Sequence, residues 1–291
     1  MTLTSSVSAH LFAYEPLTFE HLKTVAEAGY HHTELWAMSP HLDYEDRGAI
    51  ARLKGWLGDL SLKAASFHAP FYAHLDEARA GNWLSLSAPD EDLRRETRDR
   101  TEASMRIMAD LGAGIAVLHP GAPSHAGEAD SMVELRKSLE ELLSLAERLG
   151  LVLAVENIPA PLGHAGPLAE FIAEFGHPRV KVCLDAGHAN ITDGDHLEAA
   201  FRSLAPLTAA THLHDNDGIR DDHLIPGKGN ISWPPLWKAL EAAGYVGPLT
   251  YELRRGGESS YSETLSDLNR CAPLQTLDHF PVIHHAGESA R

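Results

Sequence analysis

The segment 211–231, THLHDNDGIRDDHLIPGKGNI, sets His212, His214 and His223 among Asp215, Asp217, Asp221 and Asp222. Neutral imidazole mixed with carboxylate is a donor set that suits Zn²⁺, Mn²⁺, Fe²⁺ or Co²⁺, Zn or Mn foremost, whereas an all-oxygen set would suit Mg²⁺ or Ca²⁺. The stretch therefore reads as a metal-binding loop. Further acids and histidines, among them Glu34, His68, His119, Glu156, Asp185, His188 and Glu252, stand at or just beyond the ends of short apolar runs. Any one of them has an ordinary explanation, since a lone strand-end histidine can be a satisfied core residue and a lone aspartate can cap a helix or turn. Repeated at the same place along successive runs, they point to one convergent site for a divalent metal.

Convergence requires a scaffold that brings run ends together. Short β-like runs fall at 7–9, 32–35, 63–67, 115–118, 151–155, 180–184, 208–213 and 248–251, mostly apolar on both faces as buried parallel strands are. Between them lie helical patterns at 19–28, 47–60, 91–111, 131–149, 167–175 and 234–243, several closed by a glycine. The clearest is 131–149, whose stripe is Val133, Leu135, Leu139, Leu142, Leu143, Ala146 and Leu149. Eight β/α units with right-handed crossovers close into a single (β/α)8 TIM barrel, whose strand C-termini share one rim. No linker or composition shift divides the chain, so residues 1–291 are expected to form one barrel domain, with 256–291 a C-terminal extension. The long loop 70–90, with Phe71, Tyr72 and Trp83, lies where a barrel carries an active-site lid.

Composition narrows the function classes. With 24 Lys+Arg against 41 Asp+Glu, the formal net charge of −17 works against phosphate backbones and anionic membranes, so nucleic acid is disfavoured and no membrane partner is expected. Cys183 and Cys271 are too few for a disulfide framework, and the N-terminus has no basic region followed by an apolar stretch. A cytoplasmic location is the expectation. Several tempting features carry less weight. Gly227 and Gly229 lack the longer phosphate-loop pattern and read as a tight turn holding His223. Asp215, Asn216 and Asp217 read as a solvated Asx-rich turn. Trp36, Trp233 and Trp237 read as packing or lid residues as readily as sugar-stacking ones, and the His284–His285 pair receives no chemistry.

The pieces GYHHTELW (29–36), VENIP (155–159), CLDAGHAN (183–190), THLHDNDG (211–218) and the run 223–253 resemble the xylose-isomerase-like TIM-barrel superfamily. That superfamily holds metal-dependent sugar isomerases and epimerases beside endonuclease IV-type DNA-repair enzymes. In the sugar branch the resemblance implies one metal held by Glu156, Asp185, His212 and Glu252, with His188 contacting substrate. In the nuclease branch it implies three zinc ions, and His68, His119, His188, Asp221 and His223 complete the larger ligand set. No basic or wedge-like DNA-contacting loop is recognisable, which favours the sugar branch. Against the well-known ketose 3-epimerases the chain departs in one place, carrying Gly218 where an arginine would follow the strand-seven histidine.

The activity expected is that of an isomerase or epimerase acting on a ketose or related polyhydroxy carbonyl compound by enediolate proton transfer. Glu156 and Glu252 would move the proton, while His188, Glu34 and His68 would contact a sugar or polyol substrate. Glu34 could equally orient a histidine. The alternatives are a multi-zinc phosphodiesterase or AP endonuclease-like hydrolase, and a hydroxyketone dehydratase or lyase. Members of the superfamily are often oligomeric, so a homo-oligomer is a further expectation.

Overall fold

Eight parallel strands follow one another around a closed ring, each bonded to its sequence neighbours, with the eighth returning to the first. They are β1 (Thr4–Ser8), β2 (His32–Trp36), β3 (Lys63–His68), β4 (Ile115–Leu118), β5 (Val152–Glu156), β6 (Val180–Asp185), β7 (Thr208–Leu213) and β8 (Pro248–Tyr251). The computed structural model describes residues 3–121 and 131–271, so the His284–His285 pair lies outside the described residues. Helices α1 (Phe19–Glu27), α2 (Arg47–Asp59), α3 (Leu75–Arg79), α4 (Glu91–Asp110), α5 (Met132–Leu149), α6 (Ala165–Phe175), α7 (Ala186–Asp193), α8 (Leu197–Leu204), α9 (Trp233–Ala242) and α10 (Tyr261–Cys271) complete the (β/α)8 barrel.

The departures from expectation have local causes. β1 begins at Thr4 and ends at Ser8, because Ser8 caps a 3-10 turn over Ala9–Phe12 and takes Ala9 out of the strand. Val133 is 63% exposed, so the buried stripe of α5 starts at Leu135. Helices α7 and α8 were not among the expected helices, although α8 carries the stripe Leu197, Ala200, Phe201 and Leu204. α7 starts directly at Asp185, whose carboxylate accepts from the His188 amide at 2.6 Å, and its buried positions are small or polar. The described part of the expected C-terminal extension contains the helix that follows β8. α10 is tied to the barrel by Tyr30 Oη donating to Asn269 at 2.9 Å and Asn269 donating to the Ala28 carbonyl at 2.8 Å.

Strand alternation separates two cores. Val155, Leu184 and Leu213 face the helices within the main hydrophobic cluster, while Val117, Ala154, Cys183 and Ala210 form a separate small cluster. Two residues further along, on the same face as that second cluster, stand His119, Glu156, Asp185 and His212. The barrel interior thus passes from small apolar side chains to a ring of ligand-type residues at the C-terminal rim, where this architecture places its chemistry.

The loop after β2 carries a separate, testable feature. His41 is buried, with Nδ1 at 3.1 Å from both the Phe12 and Glu15 carbonyls. Burial pushes its pKa from 6.5 down to about 4, against the smaller upward pull of those carbonyls. The unfolded chain therefore binds a proton that the folded protein refuses, and this contribution to stability is complete above pH 6.5 and is lost progressively as pH falls to about 4. Its size is on the order of 3 kcal/mol. His41→Gln should lose unfolding free energy less steeply than the wild type between pH 7 and pH 4 in urea melts; parallel curves would refute the assignment.

Candidate metal centre and active site

Glu156, Asp185, His212 and Glu252 bring one ligand atom each to within 4.8 Å of one another, and all four are buried. Register explains the meeting: Glu156 pairs with Cys183 across β5–β6, Asp185 pairs with His212 across β6–β7, and Glu252 follows the β7–β8 pair Leu213–Tyr251. Asn157 pins the β5–β6 end, donating to the Asp185 carbonyl and accepting from its amide, both at 2.8 Å. His212 Nδ1 points at three carboxylates, lying 3.3 Å from Glu156, 3.4 Å from Glu252 and 3.7 Å from Asp185.

Two further groups flank this one. His68 and His119 approach the other oxygen of Glu156 at 3.2 and 3.5 Å. On the opposite side His188, His214, Asp221 and His223 form a second cluster, with His223 Nε2 at 2.9 Å from Asp221 and His188 Nδ1 at 3.1 Å from Glu156. All nine sequence-derived ligand candidates therefore meet at one rim. Six of them, His68, His119, His188, Asp221, His223 and Glu252, line a cavity of about 400 Å³ whose wall also includes Trp36, Phe71, Trp83, Ile158 and Pro159. Phe71 and Trp83 come from the loop expected to act as a lid, and Phe71 stacks on His119 with ring centroids 4.0 Å apart.

Three further residues, Glu34, His214 and His10, belong to this rim. Glu34 is fully buried in the barrel interior, accepting from Ser8 Oγ at 2.9 Å and Ser66 Oγ at 2.8 Å and holding His212 Nε2 at 3.1 Å. In this place the Glu34 carboxylate can act as the orienting partner of His212, holding Nε2 while Nδ1 turns toward the three other carboxylates. His214 is fully buried with Nε2 at 3.0 Å from Asp185. Room for it exists because residue 187 is glycine: a Cβ there would lie 2.0 Å from the imidazole. His10, just beyond the expected run 7–9, was not singled out in the sequence; it lines the cavity and lies 4.4 Å, ring to ring, from His223.

The Asp215–Asn216 segment is buried rather than solvated. Asp215 accepts from the amides of Gly227 at 2.7 Å and Ile231 at 3.1 Å and from Trp233 Nε1 at 3.1 Å. Gly229 packs so closely on this segment that a Cβ would sit 2.2 Å from the Asn216 carbonyl. The glycine turn is thus folded around a carboxylate of the chain itself. Asp215→Ala would strand these donors and should lower the unfolding free energy by at least about 3 kcal/mol in denaturant melts; a change within about 0.5 kcal/mol would remove this structural role.

The residues present fit a bound dication. The buried nitrogens His119 Nδ1, His188 Nδ1, His212 Nδ1 and His214 Nδ1 and the oxygen Asp221 Oδ1 lack hydrogen-bond partners, and such groups are costly unless something satisfies them. Electrostatics agree. Burial disfavours the His212 imidazolium, but the negative charge of Glu252, Glu34 and Glu156 outweighs it and pushes its pKa well above 6.5. Burial, with repulsion from Glu156 and Glu34, pushes Glu252 up to about 7 despite the nearby His212. Burial also works to raise Glu156, yet His212, His119 and His188 hold it well below the usual carboxylate range. The cluster is a concentrated negative well that draws positive charge to its centre.

A closed (β/α)8 barrel with buried carboxylates and imidazoles at its C-terminal rim is a TIM barrel carrying a candidate metal site. The chain belongs to the xylose isomerase-like TIM barrel family, whose family model matches residues 22–271. Fructoselysine 3-epimerase of Escherichia coli O157:H7 is 25% identical over 249 residues, covering 82% of this chain and 87% of that protein. A solved D-tagatose 3-epimerase-like protein superposes with a TM-score of 0.74 at 23% identity, over 92% of this chain and 99% of its own. The IOLI protein, solved with a bound zinc atom, superposes with a TM-score of 0.75 at 17% identity, over 92% and 96% of the two chains. Among the described residues no helix is long and apolar enough to cross a membrane.

Proposed function

We propose that this chain is a divalent-metal-dependent epimerase or isomerase of a ketose or related polyhydroxy carbonyl compound, working by enediolate proton transfer. The observation that carries the reading is the pair of buried carboxylates, Glu156 and Glu252, gathered with Asp185 and the unpartnered His212 Nδ1 beside a cavity of about 400 Å³. The epimerase relative and the zinc-containing structural neighbour support it.

Glu156, Asp185, His212 and Glu252 would hold the metal, Zn or Mn. When bound, it would polarise the carbonyl and adjacent hydroxyl and so acidify the C–H between them. Glu156 ends β5 and Glu252 follows β8, so the two carboxylates approach from different strands of the barrel. One takes the proton from the carbon and the other returns it; the configuration of the substrate decides which acts first. His188 and His68 line the cavity beside Glu156 and are placed to hydrogen-bond substrate hydroxyls. Neutral His10, whose pKa burial and His223 keep well below 6.5, offers a donor and an acceptor. Glu34 acts through His212.

A second reading, a multi-zinc phosphodiesterase, is favoured by the two flanking clusters, His68–His119–Glu156 and His188–His214–Asp221–His223. Incubating the metal-loaded protein with a panel of ketoses in deuterated water separates the two. Deuterium entering the carbon next to the carbonyl supports proton transfer, and loss of water from the same substrate would indicate a dehydratase. Phosphodiester cleavage with no exchange into any ketose would replace the isomerase reading with the hydrolase one.

A further inference from the structure

Among the described residues lining the cavity, Arg254 is the one lysine or arginine. Its backbone amide donates to the His223 carbonyl at 3.0 Å, which fixes it beside the second histidine cluster. The side chain is 39% exposed, and its guanidinium is only partly used: Nη1 donates to the Asp221 carbonyl at 2.7 Å, while Nη2 lies 3.7 Å from the Asp221 carboxylate, beyond hydrogen-bond length. Asp221 is engaged more closely by His223 Nε2, at 2.9 Å. The positive charge extends into the cavity. Burial is the main cause of the low pKa values of His10 and His223, and Arg254 pushes both lower.

We propose that Arg254 is the specificity residue for an anionic group, a phosphate or a carboxylate, carried by the substrate away from its reacting carbons. A neutral sugar has no need of a fixed cation, and placing one near a dication site costs repulsion that an anionic substituent would relieve. A guanidinium also supplies the planar fork that matches phosphate and carboxylate oxygens. Neutral His10, which has no carboxylate among its ion-pair partners, can add a single N–H donor at the same end. The cavity would then be divided by charge, with proton-moving carboxylates at the floor and an anion clamp at the wall above Glu252. This inference takes its substrate class from the isomerase reading, but anion binding stands or falls by itself.

The test is calorimetric titration of the metal-loaded protein with inorganic phosphate and with acetate, repeated on Arg254→Met and Arg254→Lys, beside exchange kinetics on a ketose, its phosphate ester and a keto sugar acid. At least one probe should bind tenfold or more weakly to Arg254→Met, with a smaller loss in Arg254→Lys. The preference for the matching anionic substrate over the neutral ketose should fall by a similar factor, seen in KM more than kcat. Tighter phosphate binding assigns a sugar phosphate and tighter acetate binding a sugar acid. Equal probe affinity in wild type and Arg254→Met would overturn the proposal, as would a selectivity ratio that the substitution leaves unchanged. Arg254-dependent anion binding without exchange in any ketose would keep the clamp and dismiss the isomerase reading.

Discussion

Glu156→Gln and Glu252→Gln are each expected to cut solvent-proton exchange into an active substrate by about 10²–10⁴-fold, the range that a positioned acid or base supplies. The amide keeps the shape of each side chain and removes its ability to take a proton. Both residues also belong to the proposed ligand set, so metal content must be measured alongside exchange. A variant that keeps its metal and loses exchange isolates the proton-moving role, whereas near-wild-type exchange in either would eliminate that residue from catalysis. Glu156 should be the more damaging position, because the same carboxylate also meets His68 at 3.2 Å, His188 at 3.1 Å and His119 at 3.5 Å.

The second large effect concerns the metal. Three buried carboxylates within 4.8 Å of one another repel unless a cation lies among them, so stripping the ion should destabilise the fold as well as stop turnover. A metal present at about a thousand times its dissociation constant contributes about 4 kcal/mol, which for a chain of this size corresponds to roughly 7 °C in melting temperature. Chelation is expected to lower the Tm by that order, with recovery on adding Zn²⁺ or Mn²⁺. Asp185→Asn should reproduce the loss of metal while preserving the helix cap, since an asparagine can still accept from the His188 amide. An unchanged Tm after complete chelation would argue against a cation at this cluster. One tightly held equivalent supports the four-residue site, and three equivalents of zinc would shift weight to the hydrolase.

Much of the architecture was legible because it is written in local patterns. Short buried strands and striped helices repeat along the chain, and the (β/α)8 ring follows from their alternation and from the handedness of crossovers. The ends of strands could be read as a rim, so Glu156, Asp185, His188, His212 and Glu252 stood out by type and place. α7 was not legible, because a helix of eight residues that starts on a ligand and buries mostly small or polar side chains carries almost no stripe. His10 stands just beyond the expected run 7–9, but a single histidine carries no signal of its own, and only packing against His223 brings it to the cavity.

The sequence alone determined which groups could meet, since covalent order and side-chain period decide which residues share a face. Only the tertiary structure decided what each does there. Glu34 and Glu156 both sit at or near the end of a strand and both face the barrel interior, yet one is enclosed by Ser8, Ser66 and His212 while the other borders three histidines facing the cavity. Asp215 and Asp221 belong to one loop, yet the first satisfies backbone amides and the second meets imidazoles. Such assignments depend on distances between residues far apart in the chain, set by strand register and loop packing, and no local pattern encodes them.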